Sequence, residues 1–249
     1  MDSNYHDLYR LKETTEITVY LAYSEKDQKK VILKILNPEY PTQEQVSIFH
    51  NEFDLTLDLN SKYIRKPIRK ERINGKRVLV FEYINGKSLY DIYQDAKKID
   101  LEKFITISIE IAKAISEIES LGIIHKDLNS NNILYAEDTN QITIIDFGIA
   151  TKISSKSYYL GNPEKLEGTL SYISPEQTGR MNRAIDFRSD LYSLGISLYE
   201  ILAGKLPFVF TDSLNIIHAH MAVKPVDLFE HINMSNLRFT KKYSNKAIE

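Results

Sequence analysis

The residues able to do chemistry crowd into one stretch, 121–148, which reads L-G-I-I-H-K-D-L-N-S-N-N-I-L-Y-A-E-D-T-N-Q-I-T-I-I-D-F-G. Two isoleucine-rich runs, 133–135 and 142–145, are too short for helices and read as buried strands. His125, Asp127, Asn129 and Asn132 crowd the approach to the first run, and Asp146 follows directly on the second. A hairpin would bring Asn132 and Asp146 to neighbouring strand ends, with a second carboxylate, Asp127, nearby. An amide oxygen and a carboxylate so placed suit a hard cation bridging to phosphate. Mg²⁺ takes a few protein oxygens and completes its shell with water and substrate phosphates.

Composition narrows the setting. The chain has 249 residues, 43% hydrophobic and 27% charged, which is ordinary for a globular protein with a sizeable core. A net charge of −2 argues against a nucleic-acid partner or a polybasic membrane role. Without cysteine there is no disulfide, thiol nucleophile or Cys-ligated zinc. His218 and His220 form the one close histidine pair, and a helix surface is expected for them. The N-terminus carries no apolar signal segment and no run approaches a membrane span. A cytoplasmic location is therefore expected.

The elements that must position these residues are legible in outline. Residues 17–21 and 31–36 alternate or run apolar like strands, joined by a polar turn. Lys34 sits inside the second run. It lies either on an edge strand facing solvent or against anions, because burying an unpaired ammonium is costly. Residues 43–59 read as a helix with Thr42 as its N-cap and Val46, Phe49, Phe53 and Leu57 along one stripe. Glu52 shares a turn with that stripe. Strands are expected at 64–70 and 76–82 around Asn74-Gly75. Residues 101–121 carry Phe104, Ile107, Ile111, Ile115 and Ile118 at helical spacing, with Gly122 as the stop. A second helix at 189–203 is apolar on most faces, with Ser189 suited to its N-cap and Gly204 to its end.

His125-x-Asp127-Leu128-x-x-x-Asn132 followed by Asp146-Phe147-Gly148 resembles the catalytic and magnesium loops of a eukaryotic-type protein kinase. V-I-L-K at 31–34 resembles V-A-I-K, and V-L-V-F-E-Y-I-N-G at 78–86 resembles the last small-lobe strand and hinge. G-T-L-S-Y-I-S-P-E-Q at 168–177 is similar to the activation-segment closure of serine/threonine kinases, and D-L-Y-S-L-G at 190–195 resembles D-x-W-S-x-G. The resemblance implies an α+β bilobal kinase-like fold. Residues 1–84 would form an N-lobe of antiparallel sheet plus helix C, and 85–249 a mostly helical C-lobe.

It further implies a protein serine/threonine kinase using ATP and Mg²⁺ on a protein hydroxyl. Lys34 would hold the α/β-phosphates and pair with Glu52, or less suitably Glu44. Asp127 would be the catalytic base, Asn132 and Asp146 the metal ligands, and His125 a brace for the loop. Val19, Phe81 as gatekeeper, and the backbone of Glu82 to Ile84 would surround adenine. Thr169 would face Asp127, and Asp190 would hold the catalytic loop from below.

The departures are as specific as the matches. The glycines of G-x-G-x-x-G-x-V fall on Lys12, Thr14 and Ile17. Lys126 replaces the usual arginine, and Asn129 replaces a lysine, removing a positive charge beside the transferring phosphoryl group. A pseudokinase, acting as a nucleotide-responsive binding module, is the competing expectation. A small-molecule phosphotransferase is a third, disfavoured by the 168–177 closure. The Q-T-G-R-M-N-R-A-I-D-F-R stretch at 177–188 is similar to bacterial proteins in which such a domain precedes an ATPase module, a GAF domain and a sensor histidine kinase. After Phe208 only 212–223 keeps a helical pattern, so an incomplete C-lobe is expected, with Arg238 the remaining candidate partner for Glu176.

Overall fold

The computed structural model describes residues 4–96, 100–153, 166–181 and 183–231. Five strands form an antiparallel sheet: β1 (Tyr5–Glu13), β2 (Ile17–Ser24), β3 (Lys29–Leu36), β4 (Pro67–Ile73) and β5 (Lys76–Glu82), in the spatial order β1-β2-β3-β5-β4. β3 is the central strand, and its last six residues are buried. Side chains alternate across it. Val31, Leu33 and Ile35 pack with Tyr5, Val78 and Val80 on one face. Ile32 and Leu36 pack with Phe49, Phe53, Leu79 and Phe81 on the other. Lys34 shares the second face by parity, so the edge-strand alternative falls away.

That face is covered by α1 (Gln43–Thr56). Thr42 caps it in a reciprocal box with Gln45, each side chain bonding the other's backbone N–H. The helix ends at Thr56, short of the expected 59. β4 likewise begins at Pro67 rather than at 64. Residues 63–65 are drawn away from the sheet: Ile64 bridges Ile144 in parallel, Ile144 N–H donates to Tyr63, and Arg65 N–H donates to Ile144. This short splice joins the small lobe to the large one.

In the large lobe, β6 (Lys87–Ser88) pairs with β8 (Ile133–Ala136), which pairs with β9 (Gln141–Ile144). α2 (Leu89–Ala96) follows β6. α3 (Leu101–Ser120) is capped by Asp100 and buries Ile107, Ile111, Ala114, Ile115 and Ile118 against this hairpin. β7 (Ile123–Ile124) pairs with β10 (Thr151–Lys152). Two single 3-10 turns, Leu170–Tyr172 and Pro175–Thr178, precede α4 (Phe187–Ala203).

Several expectations are corrected here. The α4 N-cap is Asp186, whose carboxylate accepts Arg188 N–H; Ser189 lies in the first turn and donates to Glu176 instead. In α5 (Ser213–Ala222), His220 is buried rather than on a surface, with Nδ1 bonded to the Tyr192 hydroxyl at 2.9 Å. A further helix, α6 (Leu228–His231), packs on α4 where no pattern was expected. Residues 232–249, Arg238 among them, lie outside the described residues. Among those described, no helix is long and apolar enough to cross a membrane.

Candidate active site

A cleft of about 800 Å³ opens between the lobes. Its roof is the β1–β2 hairpin, through Leu11, Lys12, Thr14, Ile17 and Val19, and Leu134 lies across from it on β8. Lys34, Asp127, Asn129, Asn132 and Asp146 all line it, as do Tyr83 and Ile84. The residues singled out for chemistry therefore converge although more than a hundred positions separate Lys34 from Asp146.

Lys34 is 5% exposed and lies between two carboxylates, Glu52 at 2.6 Å and Asp146 at 2.7 Å. Burial opposes its charge, but Asp146 and Glu52 together outweigh burial and raise its pKa. Asp146 is held well below the usual carboxylate range, first by the Lys34 charge. Glu52 is shared further: Oε1 accepts from Arg65 at 3.0 Å and from the Asp146 backbone N–H at 3.1 Å. Glu52 thus fixes Lys34 and the backbone of the proposed metal ligand at once. Glu44, the alternative, sits in the first turn of α1, two turns before Glu52, which takes the Lys34 bond.

Asp127 is held by a second set of bonds. Its Oδ1 accepts Thr169 N–H at 2.8 Å, and its backbone carbonyl accepts the Asn132 and Asn129 amides at 2.8 and 3.0 Å. Asn132 spends its nitrogen on Asp127, so its amide oxygen remains an acceptor. Below the loop, Asp190 accepts His125 N–H at 2.7 Å and Lys126 N–H at 2.9 Å. His125 Nε2 donates to the Ile145 carbonyl at 3.0 Å, and the ring packs edge-on against Phe147. Lys126 pairs with Glu167 at 3.0 Å, and Gln177 donates to the Lys126 carbonyl at 2.7 Å. Gly168 has φ +97°, and a Cβ there would meet the Lys126 carbonyl oxygen at 2.7 Å, so only glycine lets the segment lie this close.

Two expected adenine neighbours, Phe81 and Glu82, are not among the residues that line the cleft. Phe81 is fully buried in the α1-face cluster, edge-on to Phe53, and is not among the cleft-lining residues. Arg65 stacks on its ring at 4.6 Å and faces the cleft. The Glu82 side chain pairs with Lys29, and its N–H is spent on the Lys66 carbonyl. Sequence reasoning passed over Arg65 and also Asn51, whose amide donates to the carbonyls of Phe147, Gly148 and Ala150. Neither lies in a pattern that marks it as inward-facing.

A sheet lobe over a helical lobe, with a buried Lys–Glu pair above a loop-borne carboxylate, defines the architecture of a protein kinase. The protein kinase domain family model matches residues 13–249, and the chain belongs to that family. A probable serine/threonine-protein kinase of Clostridium perfringens is 32% identical over 209 residues, covering 84% of this chain and 30% of the relative. A second, from Clostridium acetobutylicum, is 31% identical over 232 residues, covering 90% and 35%. The serine/threonine-protein kinase PknB of Mycobacterium tuberculosis is 32% identical over 148 residues, covering 59% and 23%. The chain spans about a third of the length of the first two relatives.

Proposed function

We propose that this chain transfers the γ-phosphoryl group of ATP to a serine or threonine hydroxyl of a protein, in the presence of Mg²⁺. The observation that carries this is the convergence of Lys34, Asp127, Asn132 and Asp146 on one cleft, with Lys34 held between Glu52 and Asp146. Asp127 accepts the proton of the attacking hydroxyl, and the amides around it hold it in position. Lys34 orients the α/β-phosphates. The cleft suits the metal: two oxygen ligands, Asn132 and Asp146, are what Mg²⁺ takes when phosphates supply others. Bound there, Mg²⁺ neutralises charge on the phosphate oxygens. The 168–177 closure, docked on Lys126 and Asp127, supports a protein acceptor beside the base. The resemblance carried by residues 177–188 supports an association with sensor histidine kinase modules.

A second reading, a nucleotide-responsive binding module without transfer, is favoured by the glycine-free roof. Labelled ATP with Mg²⁺, offered the protein itself and a generic basic protein substrate, separates the two. The kinase reading expects label transfer that Asp127→Asn lowers by about 10²–10⁴-fold. Tight MgATP binding with no transfer would establish the binding module instead.

A further inference from the structure

The roof of the cleft carries a cation that the kinase pattern does not call for. Lys12 occupies the first of the glycine positions, is exposed, and has no ion pair among the described residues. Its direction comes from a backbone irregularity. Arg10 pairs with Tyr20 and Lys12 with Val19, so two steps along β1 match one step along β2, and Leu11 is the extra residue of a β-bulge. A bulge re-aims the side chain that follows it. In regular alternation Leu11 and Lys12 would face opposite ways; here both line the cleft.

The register then aligns Lys12 with the residue that holds phosphate in the proposed function. Lys12 pairs with Val19, and Val19 pairs with Lys34, so the three form a row across one face of the sheet. Two strand spacings separate the lysines, about 10 Å of backbone. Lys34 is already engaged by two carboxylates, whereas Lys12 is not. By that row, Lys12 lines the roof of the same cleft as Lys34 and the proposed metal ligand Asp146.

We propose that Lys12 is a nucleotide-phosphate ligand, whose ammonium takes the terminal phosphates from the roof. It does by charge what a hairpin of Lys12, Thr14 and Ile17 cannot do by close approach of glycine backbone. It also brings a cation to the roof of a cleft whose floor carries the neutral Asn129. The inference rests on the kinase reading and names a residue that reading leaves unassigned.

Titration calorimetry of the parent, Lys12→Ala and Lys12→Arg with MgATP and with adenosine tests it. Lys12→Ala is expected to weaken MgATP by about tenfold, the loss of one charge-assisted contact, and to leave adenosine unchanged. Lys12→Arg should stay within about threefold of the parent, and the difference between parent and alanine variant should shrink at high salt. A parent that binds MgATP as tightly as Lys12→Ala overturns the Lys12 assignment alone, as does an equal loss of ATP and adenosine. A parent that binds neither nucleotide nor nucleoside overturns the kinase reading and this inference together.

Discussion

Lys34 shows how one buried charge organises several functions. An ammonium at 5% exposure is tolerable only because Glu52 and Asp146 flank it. Lys34→Met removes the shared cation, but Glu52 keeps Arg65 and the Asp146 N–H. The fold should therefore survive, with a stability loss below the about 3–5 kcal/mol typical of a wholly orphaned buried charge. Asp146 has a folded pKa depressed below its unfolded value of 3.8, so its contribution is present above that pH and lost as pH falls through the folded value. In the variant that contribution at neutral pH should shrink. Phosphoryl transfer should fall by about a hundredfold or more. Retained transfer beside an unchanged melting curve would contradict both roles.

At the scale of elements, a feature was legible where its own residues carry the signal. β3 and β5 are short apolar runs, α3 has a stripe at helical spacing, and α1 opens with a capping box. The Lys34–Glu52 pair followed from the kinase resemblance, with Glu52 singled out because it lies beside the helix's apolar stripe. What escaped depends on distant partners. β4 starts late because residues 63–65 bond to Ile144, which no local pattern announces. The α4 cap moved because Asp186 and Ser189 are both good caps, and Glu176 claims the serine. Arg65 and Asn51 escaped because polar residues carry no periodicity that tells inward from outward. His220 escaped because its neighbour His218 is exposed. Its ring meets Tyr192 and Phe208, and it packs beside the Leu170 and Ser171 backbone. Burial lowers its pKa from 6.5, so between the folded and unfolded values the unfolded chain binds more protons. Stability should therefore fall as pH drops below about 6.5, by at most about 1.4 kcal/mol per pH unit for this group. His50 is shifted in the same direction by burial and adds to the slope. Urea unfolding at pH 7.5 and 5.5 should show a smaller difference for His220→Gln than for the parent; equal differences would remove His220 as a cause.

Across the whole molecule, the two lobes are stitched by few but specific bonds. The Ile64–Ile144 bridge ties the backbones, Lys34 crosses to Asp146, and Asn51 reaches three carbonyls of the 147–150 loop. The sheet carries its own cores, while Leu55, Leu59, Tyr63 and Ile64 pack into the large-lobe core, so these bonds act together with that apolar seam in setting how one lobe sits over the other. Asn51 is the clearest test, because it lies on α1 yet its side-chain amide donates to the loop following the proposed metal ligand. Asn51→Ala should cost about 1–3 kcal/mol, since it strips a donor from half-buried carbonyls. Gln45→Ala, on the same helix, breaks the capping box and should cost about 1 kcal/mol without touching that loop. The two variants bracket similar losses of stability with different geometric consequences. If Asn51 couples helix and loop, its loss should raise the KM for ATP and lower kcat together, whereas Gln45→Ala should melt earlier but turn over normally. Equal kinetic defects in both would mean that α1 stability alone, rather than the Asn51 bridge, holds Asp146 in the cleft.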